Sequence, residues 1–180
     1  RGRQIAAMTR FAPLLAMLPL FAVPASGQAL AGHNAKAPVD VEADRIEVQD
    51  RADRAVFSGN VRVNQGGLRL SAARLTVAYA NGGGGIDIER LDASGGVTVT
   101  SASESASGEY AIYDLPRRII TVVGGVTLIK GGNRISGGRL VIDLNSGRAV
   151  VDGSSVGAAS GVEGQTGGRV TGRFTVKQGE

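Results

Sequence analysis

Between Phe57 and Tyr79, apolar and polar residues alternate on both sides of a glycine pair. The stretch reads Phe57-Ser58-Gly59-Asn60-Val61-Arg62-Val63, then Asn64-Gln65-Gly66-Gly67, then Leu68-Arg69-Leu70-Ser71-Ala72-Ala73-Arg74-Leu75-Thr76-Val77-Ala78-Tyr79. A period of two gives each strand one dry face and one wet face. The Asn64–Gly67 stretch lets the chain reverse, because glycine accepts positive φ without a Cβ clash. The stretch therefore predicts a β-hairpin.

The rest of the chain repeats it. Ala43–Val48, Ala72–Val77, Ser107–Ile112 and Gly137–Ile142 align, each running from small and polar positions into alternating apolar ones. In this alignment Ile46, Leu75, Tyr110 and Leu140 match, at spacings of 29, 35 and 30. A second series interleaves, with Gly59, Gly95, Gly124 and Gly153 spaced by 36, 29 and 29. The longer step holds the inserted Asn81-Gly82-Gly83-Gly84-Gly85 loop. A period of about 30 residues means stacked units, none able to bury its own apolar face.

Strands of about 6 to 10 residues are expected near 41–48, 55–63, 68–79, 86–93, 96–101, 107–113, 118–123, 125–130, 134–143 and 147–152. Paired glycines inside apolar runs mark bulges that turn a strand around a corner. The fold class is all-β: elongated, mostly antiparallel, with two curved sheets facing one another. The phase of the alternation assigns the inner face. Ile46, Val48, Phe57, Val61, Val63, Leu70, Leu75, Val77, Leu91, Val97, Val99, Tyr110, Ile112, Ile120, Val122, Val126, Leu128, Leu140, Ile142 and Val151 point one way. Arg62, Arg69, Arg74, Thr76, Asp92, Thr98, Thr127 and Asp143 point the other. A slip of one residue would exchange the two sets, so register matters throughout.

The flanks differ. Residues 1–31 carry Arg1, Arg3 and Arg10, an apolar run from Phe11 to Val23, then small residues. This is the layout of a secretory signal peptide, with cleavage sites after Gly27, Ala29 or Ala31. Residues 32–38 are small and polar and read as a flexible lead-in. His33, the single histidine, reads there as a solvated side chain, since no other metal-ligating residue accompanies it. The body spans 39–153. Residues 154–168 are rich in Gly and Ser and read as a loop, and 169–180 as a final strand and tail.

Composition narrows the chemistry. Without cysteine, disulfides and thiolate metal sites are excluded. Aromatics are 4% and Trp is absent, so Val, Ile and Leu must fill the interior, or the interior stays partly vacant. The formal net charge is +4, yet setting aside the three leader arginines leaves 17 basic and 16 acidic side chains. No basic stripe remains, and nucleic acid is not an expected partner. Asp44, Glu47, Asp87, Glu89 and Asp143 are scattered on alternating strands, where carboxylates read as a solvated face. There is no nucleophile elbow, no histidine placed to serve a serine and no metal-ligand spacing. No cofactor, metal or catalysis is expected.

The ordered recurrence resembles the LptA/OstA family of lipopolysaccharide-transport proteins. Val41-Glu42-Ala43-Asp44-Arg45-Ile46 carries it, with Ala55–Gly66 and Leu70-Ser71-Ala72. Phe57-Ser58-Gly59-Asn60-Val61-Arg62-Val63 followed by Gln65-Gly66 is the most specific part. The resemblance implies a β-jellyroll with an open apolar groove, in the periplasm of a Gram-negative cell. It implies that the acyl chains of lipopolysaccharide (lipid A) lie in the groove, against the inner-face residues. It also implies head-to-tail assembly of copies into a bridge from an inner-membrane component of the LptC type to an outer-membrane translocon of the LptD type. Two other readings fit the alternation: a β-solenoid scaffold or adhesin with a filled core, and a β-helical polysaccharide enzyme. The enzyme would need acids, arginines and aromatics clustered on one exposed face, which the pattern lacks.

Overall fold

The computed structural model of the chain describes residues 33–82, 85–153 and 168–175. Residues 1–32, where the signal peptide is expected, Gly83, Gly84, residues 154–167 of the expected loop and 176–180 of the expected tail lie outside the described residues. Among the described residues ten strands form one antiparallel, unclosed sheet. They are β1 (Asp40–Glu42), β2 (Arg45–Gln49), β3 (Arg54–Gln65), β4 (Leu68–Gly82), β5 (Gly85–Thr100), β6 (Glu104–Asp114), β7 (Ile119–Lys130), β8 (Asn133–Asp143), β9 (Arg148–Asp152) and β10 (Thr171–Arg173). Among the described residues the one helical element is a short 3-10 turn at Asp50–Ala52.

The central strands are longer than the alternation suggests, at 11 to 16 residues. The expected pairs 86–93 with 96–101, and 118–123 with 125–130, are single strands, β5 and β7. Each central strand turns one corner, where its register breaks. These breaks fall between Ser58 and Val61 in β3, Ser71 and Arg74 in β4, Ser94 and Val97 in β5, Ser107 and Tyr110 in β6, and Val123 and Val126 in β7, and β4 shifts once more against β5 between Ala78 and Tyr79. In β8 the partners step from Gly137 to Arg139. At the β5 and β7 corners both residues have positive φ, 82° and 78° at Gly95-Gly96, 84° and 58° at Gly124-Gly125. That is the left-handed region, where a side chain on Cβ meets the following carbonyl.

The corners divide the sheet into two faces of a jellyroll. The first sheet runs β2, the first half of β3, the second of β4, the first of β5, the second of β6, the first of β7, the second of β8, then β9. The second sheet holds the complementary halves, edged by β1 and β10. At the tips of the second sheet, Gly66-Gly67 and Gly131-Gly132 close two hairpins with paired positive φ. That is the turn whose twist matches the flanking strands.

Cross-strand partners define the apolar rows. In the first sheet one row runs Ile46, Phe57, Leu75, Ala93, Ala111, Val122, Leu140, Val151, and the next Val48, Ala55, Val77, Leu91, Tyr113, Ile120, Ile142, Ala149. In the second sheet a row runs Val41, Val63, Leu70, Val99, Ala106, Leu128, Ile135. Both sheets contribute to one buried cluster, so these rows face each other across the interior. Of the residues assigned to the inner face, Val61, Val63, Leu70, Leu75, Val77, Leu91, Val97, Val99, Ile120, Val122, Val126, Leu128, Leu140 and Ile142 are buried there, with Phe57 and Val151 packed against them.

The assignment fails in β6. Tyr110 is 54% and Ile112 43% exposed, and Ile112 pairs with Asp92 and Thr121 on the outer face. Ala111 and Tyr113 point inward instead. The corner in β6 lies at Gly108-Glu109, one residue later than the alignment of Tyr110 with Leu75 requires. From the corners at Ala72, Gly108 and Gly137, the inner residues Leu75, Ala111 and Leu140 each lie three positions on. Ile46 and Val48 keep the expected phase but sit on edge strand β2, 56% and 61% exposed.

Candidate lipid-binding interior

The interior is apolar but nearly closed. A cavity of about 20 Å³ lies between the sheets, lined by Val63, Gln65, Leu68, Leu70, Leu91, Val99, Ala111, Tyr113 and Ile120. That is room for about one water molecule. The two apolar faces lie against each other, and this is the space left between them. The buried members of these rows, with 0–8% of their surface exposed, occupy most of the space. The small side chains Ala93 and Ala111, paired across β5 and β6, interrupt an otherwise bulky row, and Ala111 is where the remaining space lies.

One mouth of this interior is crossed by residues 33–37. Asn34 N–H donates to the Gly66 carbonyl at 3.0 Å, and Ala37 N–H to the Asn34 carbonyl at 3.0 Å. The Gln65 side-chain amide donates to the carbonyls of Ala35 and Ala37 at 3.2 and 3.1 Å. A side chain on Gly66, at φ 50°, would run into the Asn34 backbone, which keeps that turn residue a glycine.

His33 is therefore not a solvated bystander. Its Nδ1 lies 3.2 Å from the Gln65 carbonyl and its Nε2 3.3 Å from the Tyr113 hydroxyl. A carbonyl only accepts, so Nδ1–H donates to it and the neutral ring accepts from Tyr113 at Nε2. The two rings meet edge to face, with centroids 6.3 Å apart. Gln65 belongs to the second sheet and Tyr113 to the first, so His33 ties the sheets together across the mouth. Burial lowers its pKa from 6.5, opposed by the Gln65 carbonyl and reinforced by the Arg118 charge. Burial likewise raises the pKa of Tyr113, against the pull of Arg118.

Two polar residues on the inner faces escape sequence reasoning. The sequence places Gln65 in a turn, yet it is only 5% exposed, and its Oε1 is buried with no hydrogen-bond partner. Glu104, at the tip of β6, has 1% of its side chain exposed and pairs with Lys130 at 2.6 Å. Both follow the phase of the alternation, two residues beyond Val63 and two before Ala106. The signal that finds them is strict continuation of the period to the strand tips. Among the described residues no group of His, Asp or Glu could hold a metal ion.

The comparisons with known proteins agree with this architecture. The chain is 36% identical over 121 residues to an uncharacterized protein of Rhizobium meliloti (strain 1021). The match covers 64% of this chain and 65% of that protein, so it spans just under two thirds of the relative's length. The fold is similar to the crystal structure of LptH from Pseudomonas aeruginosa. That protein is described as the LptA homologous periplasmic component of the conserved lipopolysaccharide transport device. The TM-score is 0.67 at 18% identity, over 79% of this chain and 98% of that one. Residues 40–148, from the start of β1 to the start of β9, match the family described as LptA/(LptD N-terminal domain) LPS transport protein. The LptA-like members are transport bridges, not enzymes. The chain belongs to this LptA/LptD N-terminal domain family of lipopolysaccharide-transport proteins.

Proposed function

We propose that this protein is a periplasmic carrier that takes the acyl chains of lipopolysaccharide between its two sheets. In this reading it passes them from an inner-membrane component of the LptC type toward an outer-membrane translocon of the LptD type, and residues 1–31 direct its export. The observation that carries the reading is the run of apolar inner rows from β2 to β9 in the first sheet and from β1 to β8 in the second. Aliphatic walls offer area without directional bonds that would arrest a sliding chain. Each buried CH₂ contributes about 0.8 kcal/mol, so a few acyl chains can offset the sheet-to-sheet packing that opens as the sheets part.

Head-to-tail assembly belongs to the same proposal. β1, β2, β9 and β10 each pair on one side only among the described residues. Each sheet has an even number of strands, so the β9–β10 edge of one copy meets the β1–β2 edge of the next in antiparallel sense. Edge pairing of that kind is strand addition. It would also cover Ile46 and Val48, the inner-face residues that the single chain leaves exposed.

The tightness of the interior favours a second reading, a structural scaffold with a filled core. Photo-crosslinking in cells separates the two. A crosslinker at Leu91 or Ile120, which line the cavity, captures lipopolysaccharide if the carrier reading holds. The same group at Thr76 or Ile112, on the outer face, captures none. Absent or equal labelling at the four positions supports the scaffold.

A further inference from the structure

Gln65 is an anomaly of the inner face. Its neighbours along β3 are Val61 and Val63, and a leucine would fill the position without a polar group. Instead a primary amide stands in an apolar cluster, its Nε2 spent on the carbonyls of Ala35 and Ala37 and its Oε1 on nothing. A buried carbonyl left without a donor destabilises the fold. What the fold leaves unsatisfied, a ligand entering the same cavity can satisfy.

The shape of the vacancy selects the ligand. Gln65 offers a donor and an acceptor side by side, at the wall of a space otherwise lined by Val, Leu, Ile, Ala and Tyr113. What is missing is a donor to Oε1. A secondary amide on an aliphatic chain supplies one N–H. An ester presents only acceptors, and an ionised fatty acid only acceptors plus a charge. We propose that Gln65 and Tyr113 form a recognition site for an amide-linked acyl chain, which residues 33–37 occupy in the free protein. The carbonyls of Ala35 and Ala37 hold the Gln65 Nε2 until that segment leaves. This rests on the carrier reading and names the part of the lipid that the mouth of the interior distinguishes.

The strap is built to leave. Apart from the contacts of His33, its hold is a set of single hydrogen bonds to Gln65 and Gly66, and Asn34 and Lys36 are exposed. The N–H of a ligand amide would make the bond to Oε1 that the strap does not make. Release also frees the Tyr113 hydroxyl from His33, leaving it available to the ligand.

The test uses the full chain and the apolar fluorophore N-phenyl-1-naphthylamine, displaced by N-methyldodecanamide or by methyl dodecanoate. The amide is expected to displace at a concentration at least tenfold lower than the ester. The preference is expected to fall within twofold in Gln65→Leu, and in Gln65→Glu should the first variant fail to fold. Hydrogen exchange at Asn34 and Ala37 is expected to accelerate when the amide is bound. Equal displacement by the two ligands, a preference that survives both variants, or Asn34 still protected at saturation overturns the inference and leaves the carrier reading standing. A protein that binds neither the fluorophore nor either ligand overturns both.

Discussion

Asn60 donates its side-chain amide to the Asp44 carboxylate at 2.8 Å. The Asp44 backbone N–H in turn meets the Gly59 carbonyl at 2.9 Å. The break between β1 and β2 is thereby fastened to the corner of β3, and the two edge strands separate onto the two sheets at the same level. Gly59 stands at φ 79°, and a Cβ there would collide with Asp44. Gly96 has almost the same φ, 78°, with open space around it.

Gly59→Ala should therefore cost more than Gly96→Ala. The second variant carries only the left-handed backbone penalty, about 1–2 kcal/mol. The first adds the displacement of Asp44, about 1 kcal/mol or more for the broken hydrogen bonds. Urea midpoints of the two variants check the order, and equal midpoints would remove the role given to Asp44.

Register in β6 is tested by adjacent substitutions. Ala111→Asp places an unpaired charge in the inner row and should destabilise by roughly 3 kcal/mol or more. Ile112→Lys changes the outer face and should stay within about 0.5 kcal/mol. Thermal melts of the two decide it, since the reversed order would follow if Tyr110 and Ile112 faced inward.

Ile120, 2% exposed, lines the cavity. Ile120→Ala should lower stability by about 2–5 kcal/mol and at the same time tighten binding of N-phenyl-1-naphthylamine, because it enlarges the apolar space. Stability by urea titration and affinity by fluorescence should move in opposite senses. Loss of both would mean that Ile120 only supports the fold.

The strap should loosen in acid. Because burial, aided by the Arg118 charge, holds the folded pKa of His33 below its unfolded 6.5, the unfolded or detached state binds the proton more readily. The contribution of His33 is therefore complete above pH 6.5 and is lost as pH falls from there toward the folded value. Exchange at the Asn34 amide, corrected for its intrinsic rate, should quicken between pH 7 and pH 5 in the wild type. In His33→Gln it should show no such step.

Much of this is legible in the residues, and the exceptions have physical causes. Alternation locates the central strands, because burying one face of a sheet leaves a period of two. The recurring glycines locate the corners at Gly59, Gly95 and Gly124, because positive φ excludes most other residues. Tyr110 and Ile112 mislead because bulk is a poor mark of the interior in β6. The row they would have joined runs through Ala93 and Ala111, and small residues carry little hydropathy signal. The glycine series already holds the true spacings of 36 and 29, which also separate Leu75, Ala111 and Leu140. His33 and Gln65 are hidden for another reason. They are 32 positions apart and meet only once the sheets have closed, and nothing local announces such a contact. The near-filled interior is equally out of reach, since alternation tells which side chains face inward and not how far apart the two sheets stand.

The central claim is that the two sheets part to admit acyl chains. Without native cysteines, spin labels can be placed at Ile112 on the outer face of the first sheet and at Arg69 on that of the second. The distance between them, read by double electron–electron resonance, should lengthen when lipopolysaccharide is added and return when it is removed. A distance that stays fixed while lipopolysaccharide is bound would contradict the account.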